Sequence, residues 1–152
     1  MNPPDLFSTT YTECRSRFLD AAATAGYTVD SMVHPLKGPA GETLAMDFAS
    51  GGAPDADTGL VIISGTHGPE GYTGSACQSG FLLSPELQAL FSEHRVVLVH
   101  GHNPFGFAWM RRTNEDNIDL NRNYIDFTQP CPTNPGYSEL HEAFVPDDLG
   151  DE

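Results

Sequence analysis

The chain has 152 residues, with 21 acidic against 7 basic side chains and a formal net charge of −14. That balance repels phosphate backbones and anionic lipid, so neither nucleic acid nor a membrane surface is an expected partner. No stretch nears the ~20 consecutive apolar residues of a spanning helix, and about 150 residues point to one domain with a real core.

The N-terminus, Met1-Asn2-Pro3-Pro4-Asp5, lacks the basic start and apolar core of a secretory signal. Cys14, Cys77 and Cys131 are odd in number and widely spaced, which excludes a disulfide scaffold and a thiolate zinc site. Reduced thiols and a cytoplasmic location are the expectation.

Residues 7–25 place Phe7, Tyr11, Cys14, Phe18, Ala22 and Ala25 at helical spacing, with Gly26 as the stop. Residues 27–34 and 44–49 read as short strands on either side of the turn-rich Lys37-Gly38-Pro39-Ala40-Gly41. After a surface loop over 50–59, Leu60–Ser64 is a continuous apolar run, the pattern of a central strand covered on both faces. Gly65–Gly71 reads as a loop, followed by a helix through Ala76 to Leu83. Ser84-Pro85 then caps and opens another helix.

Arg95–His100 is a second buried-strand pattern, 101–136 reads as loop or short irregular structure, and Ser138–Phe144 as a short helix. In that last helix Tyr137, Leu140 and Phe144 fall on the side expected to be buried. The expected domain spans 1–146, and 147–152 is expected to be a frayed acidic tail. This order predicts an α/β fold whose functional residues gather beyond the carboxyl ends of strands.

Two polar segments follow buried strands. In Gly65-Thr66-His67-Gly68-Pro69-Glu70-Gly71, glycines and a proline frame a histidine and a glutamate three residues apart. A neutral nitrogen and an anionic oxygen aimed at one point suit a catalytic zinc. The plainer alternative has His67 capping a backbone carbonyl and Glu70 solvated. Residues 109–123 hold Arg111, Arg112, Arg122 and four asparagines without helical or strand period. They suit a wall that binds carboxylate and carbonyl groups, with Asp119 orienting an arginine; the alternative is a set of surface ion pairs and turns.

Gly65–Gly71, Asn103-Pro104-Phe105-Gly106 and Asp119-Leu120-Asn121-Arg122-Asn123, in this order, resemble the zinc carboxypeptidase superfamily. The resemblance is to a bacterial carboxypeptidase-like branch of poorly defined substrate, related to aspartoacylase and succinylglutamate desuccinylase. It covers residues 58–125 well. It implies a three-layer α/β sandwich with a mixed, mainly parallel central sheet, incomplete at the C-terminus. It implies zinc ligation by His67 and Glu70 and binding of a substrate carboxylate by Asn121 and Arg122. Arg112 matches the arginine that polarises the scissile carbonyl, with Arg111 as the fallback.

The implied reaction is hydrolysis of an amide bond beside a free carboxylate, in a small peptide, with zinc-bound water as nucleophile and arginine stabilising the oxyanion. An N-acyl amino acid deacylase fits the same residues. So does a non-catalytic remnant with only a metal half-site, because the sequence shows no third zinc ligand and no general base. His100 and His102, at the end of a strand, are the substitute ligands to consider; the plainer alternative has His100 buried and hydrogen-bonded to backbone and His102 in the loop. His141 reads as a helix-surface histidine, and His34 and His94 receive no role.

Overall fold

The computed structural model describes residues 3–145, so the acidic tail lies outside the described residues. Four strands form one sheet: β1 (Thr28–Lys37), β2 (Thr43–Gly52), β3 (Gly59–Ile63) and β4 (Arg95–His100), in the order β1-β2-β4-β3. β1–β2 and β2–β4 are antiparallel and β3–β4 is parallel. The fold is thus mixed α/β, but among the described residues the sheet is mainly antiparallel, a correction to the expectation. The cause is local. β1 and β2 are joined by the tight turn at 38–42, which permits only an antiparallel pair, whereas β3 and β4 are joined by two helices.

Five α-helices accompany the sheet among the described residues: α1 (Tyr11–Thr24), α2 (Gly68–Leu83), α3 (Pro85–Leu90), α4 (Pro104–Ala108) and α5 (Pro135–Phe144). α1 starts later than the apolar spacing suggests, because the Thr10 side chain accepts from Glu13 N–H and sets the N-terminus. Phe7 is left outside the helix and half exposed. α2 begins inside the expected loop, with Pro69 in its first turn. Ser84 caps α3 as its sequence predicts.

Residues opposite one another in the sheet share a face, so Val29, Ala49, Leu98 and Ile62 form one row. That row meets Phe18, Ala21 and Ala22 of α1 and Phe81 and Leu82 of α2, which together form the larger core cluster. A second cluster joins Tyr11, Cys14, Leu44, Phe107 and Ala108, and ties α4 to α1 and β2.

The opposite face of the sheet is open among the described residues. Val61 is 61% and Ile63 54% exposed, and β3 is an edge strand. The expectation of a central strand covered on both faces is therefore corrected, and the described residues make two layers. An apolar run records what a strand can bury and not what covers it. The same holds for α5, whose Tyr137, Leu140 and Phe144 are exposed instead of buried. No described helix is long and apolar enough to cross a membrane.

Candidate functional site

The parallel strands β3 and β4 end side by side and release two loops together. Gly65 and Gly101 both take left-handed backbone (φ 69° and 66°) at this exit. A Cβ on Gly65 would lie 3.1 Å from Gly101 Cα, so the two chains touch there. Backbone bonds from His102 N–H to Ser64 O and from Asn103 N–H to Gly65 O, both 2.9 Å, lace the loops together. His67 is delivered at the entrance of α2, and Asn103 caps α4 by accepting from Gly106 N–H at 2.8 Å.

His67 occupies the N-cap position of α2 but makes no side-chain capping bond. Its imidazole lies between two carboxylates instead. Nε2 stands 2.9 Å from Asp119 Oδ1, and Nδ1 stands 3.7 Å from Glu70 Oε1. The Asp119 carboxyl is held down to about 2, first by its hydrogen bond with His67, then by Asn121 N–H and Arg112, against a partial burial that works the other way. An ionised carboxylate only accepts, so Nε2–H donates to Asp119, and Nδ1 is left as the ring nitrogen on the side of Glu70.

That geometry fits two ligands of one metal. Ligand atoms ~2.1 Å from a tetrahedral zinc lie about 3.4 Å apart, close to the Nδ1–Oε1 separation. A carboxylate behind the histidine is the partner that a ligating imidazole requires. Glu70 also sits in the first turn of α2, where the helix dipole favours its charge. Among the described residues no group of three His, Cys, Asp or Glu side chains is arranged to hold a metal.

Asp119 gathers the other sequence-identified residues. Its Oδ1 also accepts from Asn121 N–H at 2.9 Å, and its Oδ2 accepts from Arg112 Nε at 2.7 Å. Among the described residues the Arg112 Nη groups make no protein hydrogen bond, and the side chain is half exposed. Arg122 follows on the same turn, its N–H bonded to Asp119 O at 3.0 Å. Arg111 is differently placed. Its guanidinium stacks 5.8 Å from the Phe105 ring centroid and bonds Thr113 and Asn117.

The main chain of Arg111 joins the two motifs. α4 ends in a reverse turn in which Arg111 N–H bonds Gly106 O at 2.8 Å, with Met110 left-handed (φ 54°). Arg111 O then accepts from Gly68 N–H at 2.9 Å, next to His67. A Cβ on Gly68 would lie 1.9 Å from Gly106 O, so only glycine permits this approach.

A family model described as "Protein of unknown function (DUF2817)" matches residues 7–152. The chain belongs to this family. No curated protein matches this DUF2817 member. Among solved structures, a Fimbriiglobus ruber glutaminyl cyclase is similar at TM-score 0.42 and 14% identity, over 63% of this chain and 40% of that one. Two Porphyromonas gingivalis glutaminyl cyclase structures give TM-scores of 0.37 and 0.38 at 16% and 12% identity, over 69% and 68% of this chain. The DUF2817 chain spans only 51% and 45% of those two chains.

Of the two candidate substitute ligands, His100 is engaged elsewhere. His100 is fully buried, as its plainer reading expects, and is stacked on Phe18 at 4.5 Å with Nε2 2.9 Å from the Ser75 Oγ side chain, where a backbone partner was expected. Burial pushes its pKa down to about 4. His102 Nδ1 lies 3.2 Å from Thr66 Oγ1. His141, on exposed α5, pairs with the Tyr137 hydroxyl. Sequence reasoning placed Asp119 behind an arginine but missed its bond to His67, because 52 residues separate the two. It also missed His34, which pairs with Glu115.

Proposed function

We propose that this chain carries the metal-binding and carboxylate-binding part of a zinc-dependent amide hydrolase acting beside a free carboxylate. The observation that supports this reading most strongly is the His67 ring, with Nε2 bonded to Asp119 and Nδ1 turned to Glu70. His67 and Glu70 would hold the metal, and Asp119 fixes the ring tautomer. The chemistry supplied by zinc when bound is Lewis acidity toward a carbonyl oxygen and toward water.

The chain's own residues do the rest. Arg112, tethered through Nε, keeps its Nη groups for the developing oxyanion. Arg122 and the Asn121 amide, on the adjoining turn, receive the substrate carboxylate, Arg122 through its two-pronged fork. The substrate class is a small peptide or an N-acyl amino acid, and the deacylase reading uses the same wall. A single domain over 1–146 and a cytoplasmic location belong to the same proposal. The free Cys14, Cys77 and Cys131 suit the last of these.

A second reading is favoured by the two-ligand donor set: a half-site that binds metal weakly without turnover. Zinc titration of the purified chain, with His67→Ala and Asp119→Ala, tests the metal site. Binding that is lost in His67→Ala and weakened about 10- to 100-fold in Asp119→Ala is expected; equal binding in all three overturns the site. Hydrolysis assays on N-acyl amino acids and on free and amidated peptides then decide between the readings. Cleavage restricted to free carboxylates and abolished in Arg122→Ala supports the hydrolase, whereas zinc binding without cleavage leaves the half-site.

A further inference from the structure

We propose that His34, on β1, is a positioning residue: by holding Glu115 it sets Asp119 against His67. The inference rests on reading His67 as the metal-facing histidine. It starts from an irregularity in the sheet. β1 and β2 pair regularly from Thr28↔Ser50 to Val33↔Ala45 and then resume at Lys37↔Thr43. A four-residue step on β1 thus answers a two-residue step on β2, and His34 lies within the bulge. Bulges re-aim side chains that a regular pleat would place elsewhere.

The re-aimed imidazole is well fixed. Its Nδ1 accepts from Leu36 N–H at 3.2 Å, which leaves Nε2–H to donate to Glu115 Oε1 at 3.1 Å. The side chains are only 13% and 29% exposed, unlike a freely solvated surface pair. The His34 ring also lies 6.1 Å from Phe105, and Trp109 Nε1–H donates to Lys37 O at 3.2 Å. The bulged end of β1 therefore grips the segment that leaves α4 at two points.

From Glu115 the restraint reaches Asp119 through a closed turn. Asn114 N–H bonds Ile118 O at 3.0 Å, and Asn114 Oδ1 accepts from Asp116 N–H and Ile118 N–H at 3.1 and 2.8 Å. Such a cross-braced turn moves as a unit, so fixing Glu115 fixes Ile118 and its neighbour Asp119. Asp119 then bonds His67. The physical path runs β1, Glu115, Asp119, His67.

The test reads the His67 ring directly, by nitrogen NMR of the metal-free full chain, alongside zinc titration and urea unfolding. The wild type should show one tautomer with the proton on Nε2. His34→Ala and Glu115→Ala should each give a tautomer mixture and about 10-fold weaker zinc binding. His34→Gln, whose amide can still donate to Glu115, should restore both. An unchanged His67 signature and zinc affinity in both alanine variants overturns the proposal, as does a loss of stability alone. A wild type that binds no zinc, but whose His67 tautomer still responds to Glu115→Ala, refutes the metal reading and upholds the positioning role. Glu115→Ala, on the loop, keeps the test open should His34→Ala fail to fold.

Discussion

Replacing Gly68 with alanine adds one methyl group at the tightest contact of the site. That Cβ would meet Gly106 O at 1.9 Å and Arg111 O at 2.6 Å, and both are main-chain atoms that cannot rotate away. The turn after α4 must retreat, which stretches the 2.9 Å bond from Gly68 N–H to Arg111 O. Overpacking of this kind costs about 1–3 kcal/mol, and a lost backbone hydrogen bond about 0.5–1.5 kcal/mol. Alanine's better helix propensity returns up to about 1 kcal/mol at the start of α2. The net expectation is a loss of roughly 0.5–4.5 kcal/mol.

The assay is urea unfolding of wild type and Gly68→Ala, comparing midpoints at equal slope. Gly80→Ala, in the same helix, is the control, because its Cβ meets only the Leu6 side chain at 2.9 Å. It should be neutral or stabilising by up to about 1 kcal/mol. Zinc affinity should fall in Gly68→Ala and hold in Gly80→Ala. If the two variants are equally stable and bind zinc alike, the contact between the motifs is not what positions His67.

Met110 is more than half exposed and left-handed at the end of α4, so Met110→Gly should stabilise the chain by about 0.5–1 kcal/mol, read from the urea midpoint. His100 has its pKa lowered from 6.5 to about 4 by burial, so the unfolded chain binds its proton first as pH falls. Stability from this group should be undiminished above pH 6.5 and decline by at most about 1.4 kcal/mol per pH unit between 6.5 and 4. His100→Gln should flatten that part of the profile; an equal decline in the variant removes His100 as its cause.

Local patterns carried much of the fold. The β4 run Arg95–His100 was legible residue by residue, since a short continuous run rich in β-branched valines leaves little choice. Ser84-Pro85 announced α3, because a capping oxygen and a fixed φ act within one turn. Pairing direction and coverage were not legible, for Val61 and Ile63 look the same in sequence whether or not a layer lies over them. His67 and Glu70 were visible through their glycine frame. Asp119 could be named but not connected, because its bond to His67 depends on how Arg111 meets Gly68. His34 was hidden for a different reason: a bulge cancels the two-residue rhythm by which a strand's facing side chains are read.

The junction of Gly68, Gly106 and Arg111 is made from peptide groups, not side chains. The position of Arg111 enters it, but the guanidinium does not. Selection can therefore rewrite the side chains around the site, altering charge, bulk and reach, while the spacing between the two motifs is inherited through the main chain. Two glycines act as the anvil, and the surrounding chemistry is left free to evolve.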